Sequence, residues 1–155
     1  MESRTYKRVS DSRTEQIQIV MPEHTNGYGR LFGGRLVEWI DVVAAVVARR
    51  HSNRHVTTAS IDSLSFKNPA FENDTVVLIG KITYVGNTSM EVRVDTYVES
   101  LCGTKHIVNT AYLTMVALDE NQKPVRVPGL ILESDEERAA WEEAKRRREL
   151  RITRE

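Results

Sequence analysis

One long apolar helix, five strand-like runs joined by short turns, and an abrupt change to a charged tail predict an α+β domain, an antiparallel sheet packed on a buried helix. The chain has 155 residues, enough for one hydrophobic core and too few for two independent domains at about 100 to 200 residues each.

Residues 1–13 are polar and aperiodic and are expected to form a flexible N-terminal arm. Gln16 to Met21 then alternates apolar and polar, which reads as a first strand with Ile17, Ile19 and Met21 facing the core. Pro22 stops that strand. The stretch Pro22 to Gly34 carries an asparagine, a proline and four glycines, residue types suited to irregular backbone, and reads as a loop. From Gly34 to about Arg50 nothing breaks a helix, and Leu36, Val37, Trp39, Ile40, Val42, Val43, Val46 and Val47 fall on nearly every side of it. A helix apolar all round is a buried one. Arg35, Glu38 and Asp41 recur at intervals of three and form one polar stripe along it.

Val56 to Phe66, Thr75 to Val85, Ser89 to Ser100 and His106 to Leu118 read as four further strands, and turns this short make neighbours antiparallel. In the last strand both faces are apolar, so the second face needs cover, which self-association would provide. Residues 131–155 form a separate charged segment: Glu133 to Glu155 holds 8 acidic and 7 basic residues in 23 positions. Ser134-Asp135-Glu136-Glu137 is a capping-box pattern and Lys145 to Arg148 is basic, the polarity that a helix dipole favours in a solvated C-terminal surface helix.

The charge total of 22 cationic against 22 anionic residues argues against nucleic acid or an anionic membrane as a partner held by bulk electrostatics. Cys102 is the single cysteine, so neither an intrachain disulfide nor a thiolate cluster can form. The N-terminal MESRTYKRVSDSRTEQ has no apolar run of signal-peptide type, and Val42 to Ala48 is too short to span a bilayer, so a cytoplasmic location is expected. His24, His51, His55 and His106 show no metal-ligand spacing, and no metal site is expected. Neither a G-x-S-x-G elbow nor a P-loop is present.

The chemistry therefore concentrates between Asn26 and Asp41. Gly33-Gly34 at a helix start leaves backbone N–H groups open to a carbonyl oxygen, as in an oxyanion hole, although the pair also suits a plain tight entry. An ionised Asp41 two turns down an apolar helix must be paired, solvated or used; a structural ion pair with Arg35 or a neighbouring chain is the bland alternative, and Glu38 is a rival carboxylate. Asn26 offers a donor and an acceptor, or merely forms a turn.

The string MPEHTNGYGRLFGGRLVEWID, with VTTASIDSLSFKNPAFENDTVVLIGKITYVGNTSMEVRV and YLTMVALDENQKPVRVP, resembles the hotdog-fold acyl-CoA thioesterases of the cytosolic acyl-CoA hydrolase branch over about Gln16 to Pro128. The resemblance implies an antiparallel sheet wrapped around a long central helix in a hotdog acyl-CoA hydrolase domain spanning residues 14–130. It implies a dimer with sheets joined edge to edge, two sites at the interface, and assembly as a trimer of dimers. In such a site Asp41 is the catalytic carboxylate, as general base or nucleophile, Asn26 comes from the other protomer, and the N–H near Gly34 holds the thioester oxygen. Gly33, Phe66, Lys67, Gly86, Asn87, Thr88 and Ser89 would bind substrate, the last six against the CoA moiety.

Two positions depart from the family pattern: His24, where relatives often carry an acid, and Val42-Val43, where they carry small residues. The implied reaction is hydrolysis of fatty acyl-CoA to fatty acid and CoA without a resident cofactor, CoA being part of substrate and product. A hotdog hydratase or dehydratase is the rival enzyme; such sites use a histidine with an Asp or Glu, and no histidine lies on the central helix as read from Gly34 to about Arg50 or in an H-x-x-x-x-P-G string. A non-catalytic acyl-CoA sensor is the rival from another class. Without the tail, 14 acidic and 15 basic residues remain in positions 1–132, so CoA phosphates require local cations, with Lys67 the first candidate.

Overall fold

Apolar side chains on nearly every side of a helix leave it no stable place but the interior, and the computed structural model, which describes residues 3–154, puts it there. Along the chain run β1 (Tyr6–Arg8), α1 (Val9–Ser12), β2 (Thr14–Ile19), a 3₁₀ turn (Pro22–His24), α2 (Gly33–Ser52), β3 (His55–Phe66), β4 (Thr75–Val85), β5 (Ser89–Glu99), β6 (Lys105–Leu118), β7 (Gly129–Ile131) and α3 (Asp135–Arg154). The main sheet has the order β2-β4-β5-β6-β3, every pairing antiparallel, and wraps one side of α2. This is the helix-in-sheet arrangement of the hotdog fold.

Ile40, Ala44, Val47 and Ala48 of α2 have no exposed surface and pack with Leu78, Met90, Val92, Val94 and Leu113 of the sheet. Gly80 sets the depth of that contact: a Cβ there would stand 2.8 Å from Val43 Cγ1 and 2.9 Å from Val47 Cγ2. α2 ends at Asn53 in the left-handed region, and Lys7 Nζ caps the freed carbonyl of Arg50 at 2.9 Å.

The structure corrects four expectations. Residues 6–12, expected as part of a loose arm, form β1 and α1; β1 pairs in parallel with β7, and Val9 and Ser12 are buried. Short elements held by tertiary contacts leave no period to read. Ile17, Ile19 and Met21 point outward and are exposed, while Gln16 and Gln18 face inward opposite Leu78 and Val76. Alternation fixes two faces of a strand without saying which meets the core. β3 pairs with β6 instead of its neighbour in sequence, so residues 67–74 cross the end of the sheet.

The fourth correction concerns the tail. One side of α3 docks on the outer face of the sheet: Ala144 is buried, Trp141 stacks on Tyr84 at 4.3 Å, and Arg147 lies over the Tyr112 ring at 3.7 Å. The chain itself thus covers part of the second apolar face of β6. Glu91, buried on that face, accepts from Arg147 at 2.7 and 3.2 Å and from Thr83 Oγ1 at 2.7 Å. The capping pattern is realised, with Ser134 Oγ accepting from the Glu137 N–H at 3.1 Å.

Candidate active site

The loop before α2 is built by its asparagine. Asn26 Oδ1 accepts from the N–H groups of Tyr28 at 2.9 Å and Arg30 at 3.3 Å, and its own N–H donates to the Arg30 carbonyl at 2.8 Å. Gly29, at φ 74, supplies the left-handed residue of that turn. The side-chain oxygen is thus committed to the loop, and the amide NH₂ stays available as a donor. Within one chain Asn26 makes no hydrogen bond to Asp41. His24 is structural, its ring edge-on to Trp39 at 5.0 Å and its Nδ1 accepting from the Met21 N–H.

Phe32, in extended geometry, precedes the first helical residue Gly33, and no side chain caps the helix. The first-turn N–H groups of Gly33 and Gly34 lack intrahelical acceptors. A Cβ on Gly34 would lie 2.7 Å from the Phe32 ring, so glycine lets that ring fold over the helix start. Phe66, half exposed at the end of β3, lies beside Gly33, its ring 3.9 Å from where a Cβ would be.

The polar stripe of α2 divides in two. Arg35 pairs with Glu38 at 3.6 Å, on the exposed side, which removes Arg35 as a partner of Asp41 and occupies the rival carboxylate. Asp41 is half-buried and accepts one hydrogen bond, from Thr58 Oγ1 to Oδ1 at 2.7 Å; its Oδ2 has no partner among the described residues. Asp41 lies eight residues after Gly33, about 12 Å down the axis at 1.5 Å per residue. β3 runs back along α2, and this brings Thr58 to Asp41 and Phe66 to the helix start.

Thr58 escaped the sequence reading because nothing local marks one threonine of β3 above the next; only the packing of β3 on α2 selects it. The expected CoA contacts are not brought together in one chain. Through the register Phe66–Asn109–Thr96–Leu78, Phe66 lies level with Leu78 towards the α2 N-terminal end of the sheet, with Lys67 next to it, whereas the Gly86–Ser89 turn lies past the opposite end of β4, eight residues and about 26 Å along the strand. Among the described residues no three His, Cys, Asp or Glu side chains gather as metal ligands, and no helix is long and apolar enough to cross a membrane.

Residues 28–101 match the family model described as the thioesterase superfamily. An acyl-CoA thioester hydrolase of Bacillus subtilis, YkhA, is 41% identical over 138 residues, covering 88% of this chain and 80% of that one. A crystal structure of an apo-hexameric acyl-CoA thioesterase superimposes with a TM-score of 0.93 at 41% identity, covering 97% of both chains. The acyl-CoA hydrolase of Staphylococcus aureus, solved with butyryl-CoA, CoA and CoA disulfide, superimposes with a TM-score of 0.91 at 35% identity, covering 96% of this chain and 92% of that one.

That hydrolase has also been solved with one asparagine, one aspartate or one threonine replaced by alanine, residues separated by 15 and 17 positions in that order. Cytosolic acyl-CoA thioester hydrolases of mammals are longer: the rat protein is 32% identical over 143 residues, and the chain spans 37% of its length. A relative this similar over this much of both chains shows the family, and the chain belongs to the acyl-CoA thioester hydrolases of the thioesterase superfamily.

Proposed function

We propose that the chain hydrolyses fatty acyl-CoA to a fatty acid and CoA, with Asp41 as general base on a water molecule. The observation that carries the assignment is the Thr58–Asp41 hydrogen bond of 2.7 Å on a largely apolar helix, where Asp41 has no ion-pair partner among the described residues and Arg35 is engaged by Glu38. A carboxylate held by one hydroxyl and no cation has one oxygen oriented and the other open to a water. Asn26, Asp41 and Thr58 are separated by 15 and 17 residues, the order and spacing of the three residues replaced in the Staphylococcus aureus hydrolase, and this supports the same trio.

The Gly34 N–H, with Gly33, would receive the thioester oxygen as it becomes an oxyanion; a donor so placed is worth about 10² to 10³-fold in rate. Thr58 positions Asp41. Asn26 would act from the partner subunit, because its amide donor is free and it does not meet Asp41 within its own chain.

The edge of β3 away from β6 is unpaired among the described residues, and pairing it with the same edge of a second copy about a two-fold axis joins the sheets antiparallel. That junction sets the Gly86–Ser89 turn of one protomer at the same end as Phe66 and Lys67 of the other, which supports one CoA site built from both. Phe32, Val42, Ile61 and Phe66, exposed around the helix start and β3, then border the acyl path. Assembly of such dimers as a trimer follows the hexameric neighbour. A cytoplasmic location, a domain spanning residues 14–130 and the lack of a resident cofactor or membrane partner belong to the same reading.

The test is a panel of acyl-CoAs from C2 to C18 with free-thiol detection, run on the native protein and on Asp41→Asn. The exchange hardly changes volume and removes the base, so kcat falls by at least ~10²-fold with the fold intact. Thiol release by Asp41→Asn at near the native rate would refute the assignment.

A further inference from the structure

The turn from Gly86 to Ser89 is flanked by two cations from opposite ends of the chain. Arg4 donates from Nε to the Val127 carbonyl at 3.0 Å and from Nη2 to the Gly86 carbonyl at 2.6 Å. Arg148 of α3 donates from Nη1 to the Tyr84 hydroxyl at 3.2 Å. Its Nη2 reaches within 3.4 Å of the point where a Cβ on Gly86 would stand, and Ser89 Oγ lies 2.9 Å from the same point. Only glycine leaves that corner open to the guanidinium and the hydroxyl together.

Among the described residues neither guanidinium has a carboxylate within ion-pair distance, although the other docked arginines of α3 do: Arg147 has Glu91 and Arg151 has Asp62. The helix offers Arg148 none, since the positions three and four away are Ala144, Lys145, Arg151 and Ile152. Guanidinium groups stay charged at every accessible pH and present five donors each, of which Arg4 uses two and Arg148 one. Two fixed positive charges at one turn repel, and an anion with several acceptor oxygens turns that repulsion into attraction.

We propose that Arg4 and Arg148 form a phosphate-binding pair over the Gly86–Ser89 turn that takes the anionic nucleotide end of the CoA moiety. The proposal rests on reading the chain as an acyl-CoA hydrolase, and it moves the main phosphate cations from Lys67 to the far end of the sheet. In the two-fold dimer the thioester would meet the helix start of one protomer while the nucleotide crosses to the arginines of the other. Bound anion would also tie residue 4 and α3 together, because each supplies one side of the pair.

Arg148→Gln is the variant of choice, since Arg4 also ties Val127 to Gly86 and its loss disturbs packing. Calorimetric titration with free CoA is paired with kcat/KM for an acyl-CoA and for the acyl-pantetheine thioester of the same chain length, which lacks the nucleotide. Loss of a charge-assisted bond predicts about tenfold weaker CoA binding, about tenfold lower preference for acyl-CoA over acyl-pantetheine, and partial recovery in Arg148→Lys. Unchanged CoA affinity and preference overturn the proposal, as does an equal loss on both thioesters, which marks a structural role. No CoA binding by the native protein overturns it too. If the native protein binds CoA in an Arg148-dependent way but hydrolyses no acyl-CoA, the hydrolase reading fails and the phosphate site stands.

Discussion

Replacing Arg147 by alanine leaves the Glu91 carboxylate on the outer face of the sheet with only Thr83 Oγ1 as a partner. The pair is well shielded, the Glu91 side chain 7% exposed and that of Arg147 24% exposed, so the loss resembles breaking a buried pair more than a surface one. Removing one member of a buried pair costs about 3 to 5 kcal/mol, and the partial exposure of Arg147 places this case near about 3 kcal/mol. For a chain of this size each kcal/mol shifts Tm by about 2 to 4 °C, so Arg147→Ala melts about 6 to 12 °C lower at matched protein concentration.

Hydrogen exchange localises the effect, with protection lost over α3 ahead of α2. The double variant Glu91→Gln/Arg147→Ala is less destabilised than Arg147→Ala, because a neutral amide no longer requires the cation. A loss below about 0.5 kcal/mol in Arg147→Ala, the range of an ordinary surface change, would refute the account of how α3 is held.

Two other perturbations probe the core around α2. His51 is fully buried, donates Nε2–H to the Pro128 carbonyl at 2.8 Å and has no partner for Nδ1 among the described residues. Burial, with Lys7 and Arg4 nearby, lowers its pKa from the ordinary 6.5, so the unfolded chain binds a proton that the folded chain refuses. The stability contributed by neutral His51 is complete above about pH 6.5 and is lost as pH falls below it; His51→Gln therefore shows a flatter Tm profile between about pH 7 and about pH 5, and parallel profiles would contradict this. Gly80→Ala drives a Cβ into Val43 and Val47 and costs about 1 to 3 kcal/mol by chemical denaturation, whereas an unchanged midpoint would mean that α2 shifts freely from the sheet.

Much of the fold is legible because its strongest signals are periodic. The span of α2 and the limits of β3 to β6 follow from uninterrupted apolar or alternating runs, and the structure moves no limit by more than two residues. Residues without a period of their own are the ones that mislead: β1, α1 and β7 exist because Tyr6 lies over Gly129 and the two strands pair, a contact 123 residues apart in the chain. The outward turn of Ile17 and Ile19 is set by register against β4, which no property of β2 reveals.

In the site, Asp41 stands out as a carboxylate on a greasy helix. Thr58 does not, because its role is created by the antiparallel run of β3 along α2. Arg4 and Arg148 looked like parts of a loose arm and a solvated tail, and only the docking of both on one turn singles them out.

The central claim is a catalytic site in which Asp41 of one chain works with Asn26 of another. Inactive Asn26→Ala and Asp41→Asn proteins, refolded together in equal amounts, test it directly. Random pairing makes half of the dimers mixed, and each mixed dimer holds one site with both residues intact, so activity returns to roughly a quarter of the native value per chain. Native mass spectrometry verifies that mixed dimers have formed. Recovery to roughly a quarter is the result the account predicts; mixed dimers as inactive as either parent would contradict it.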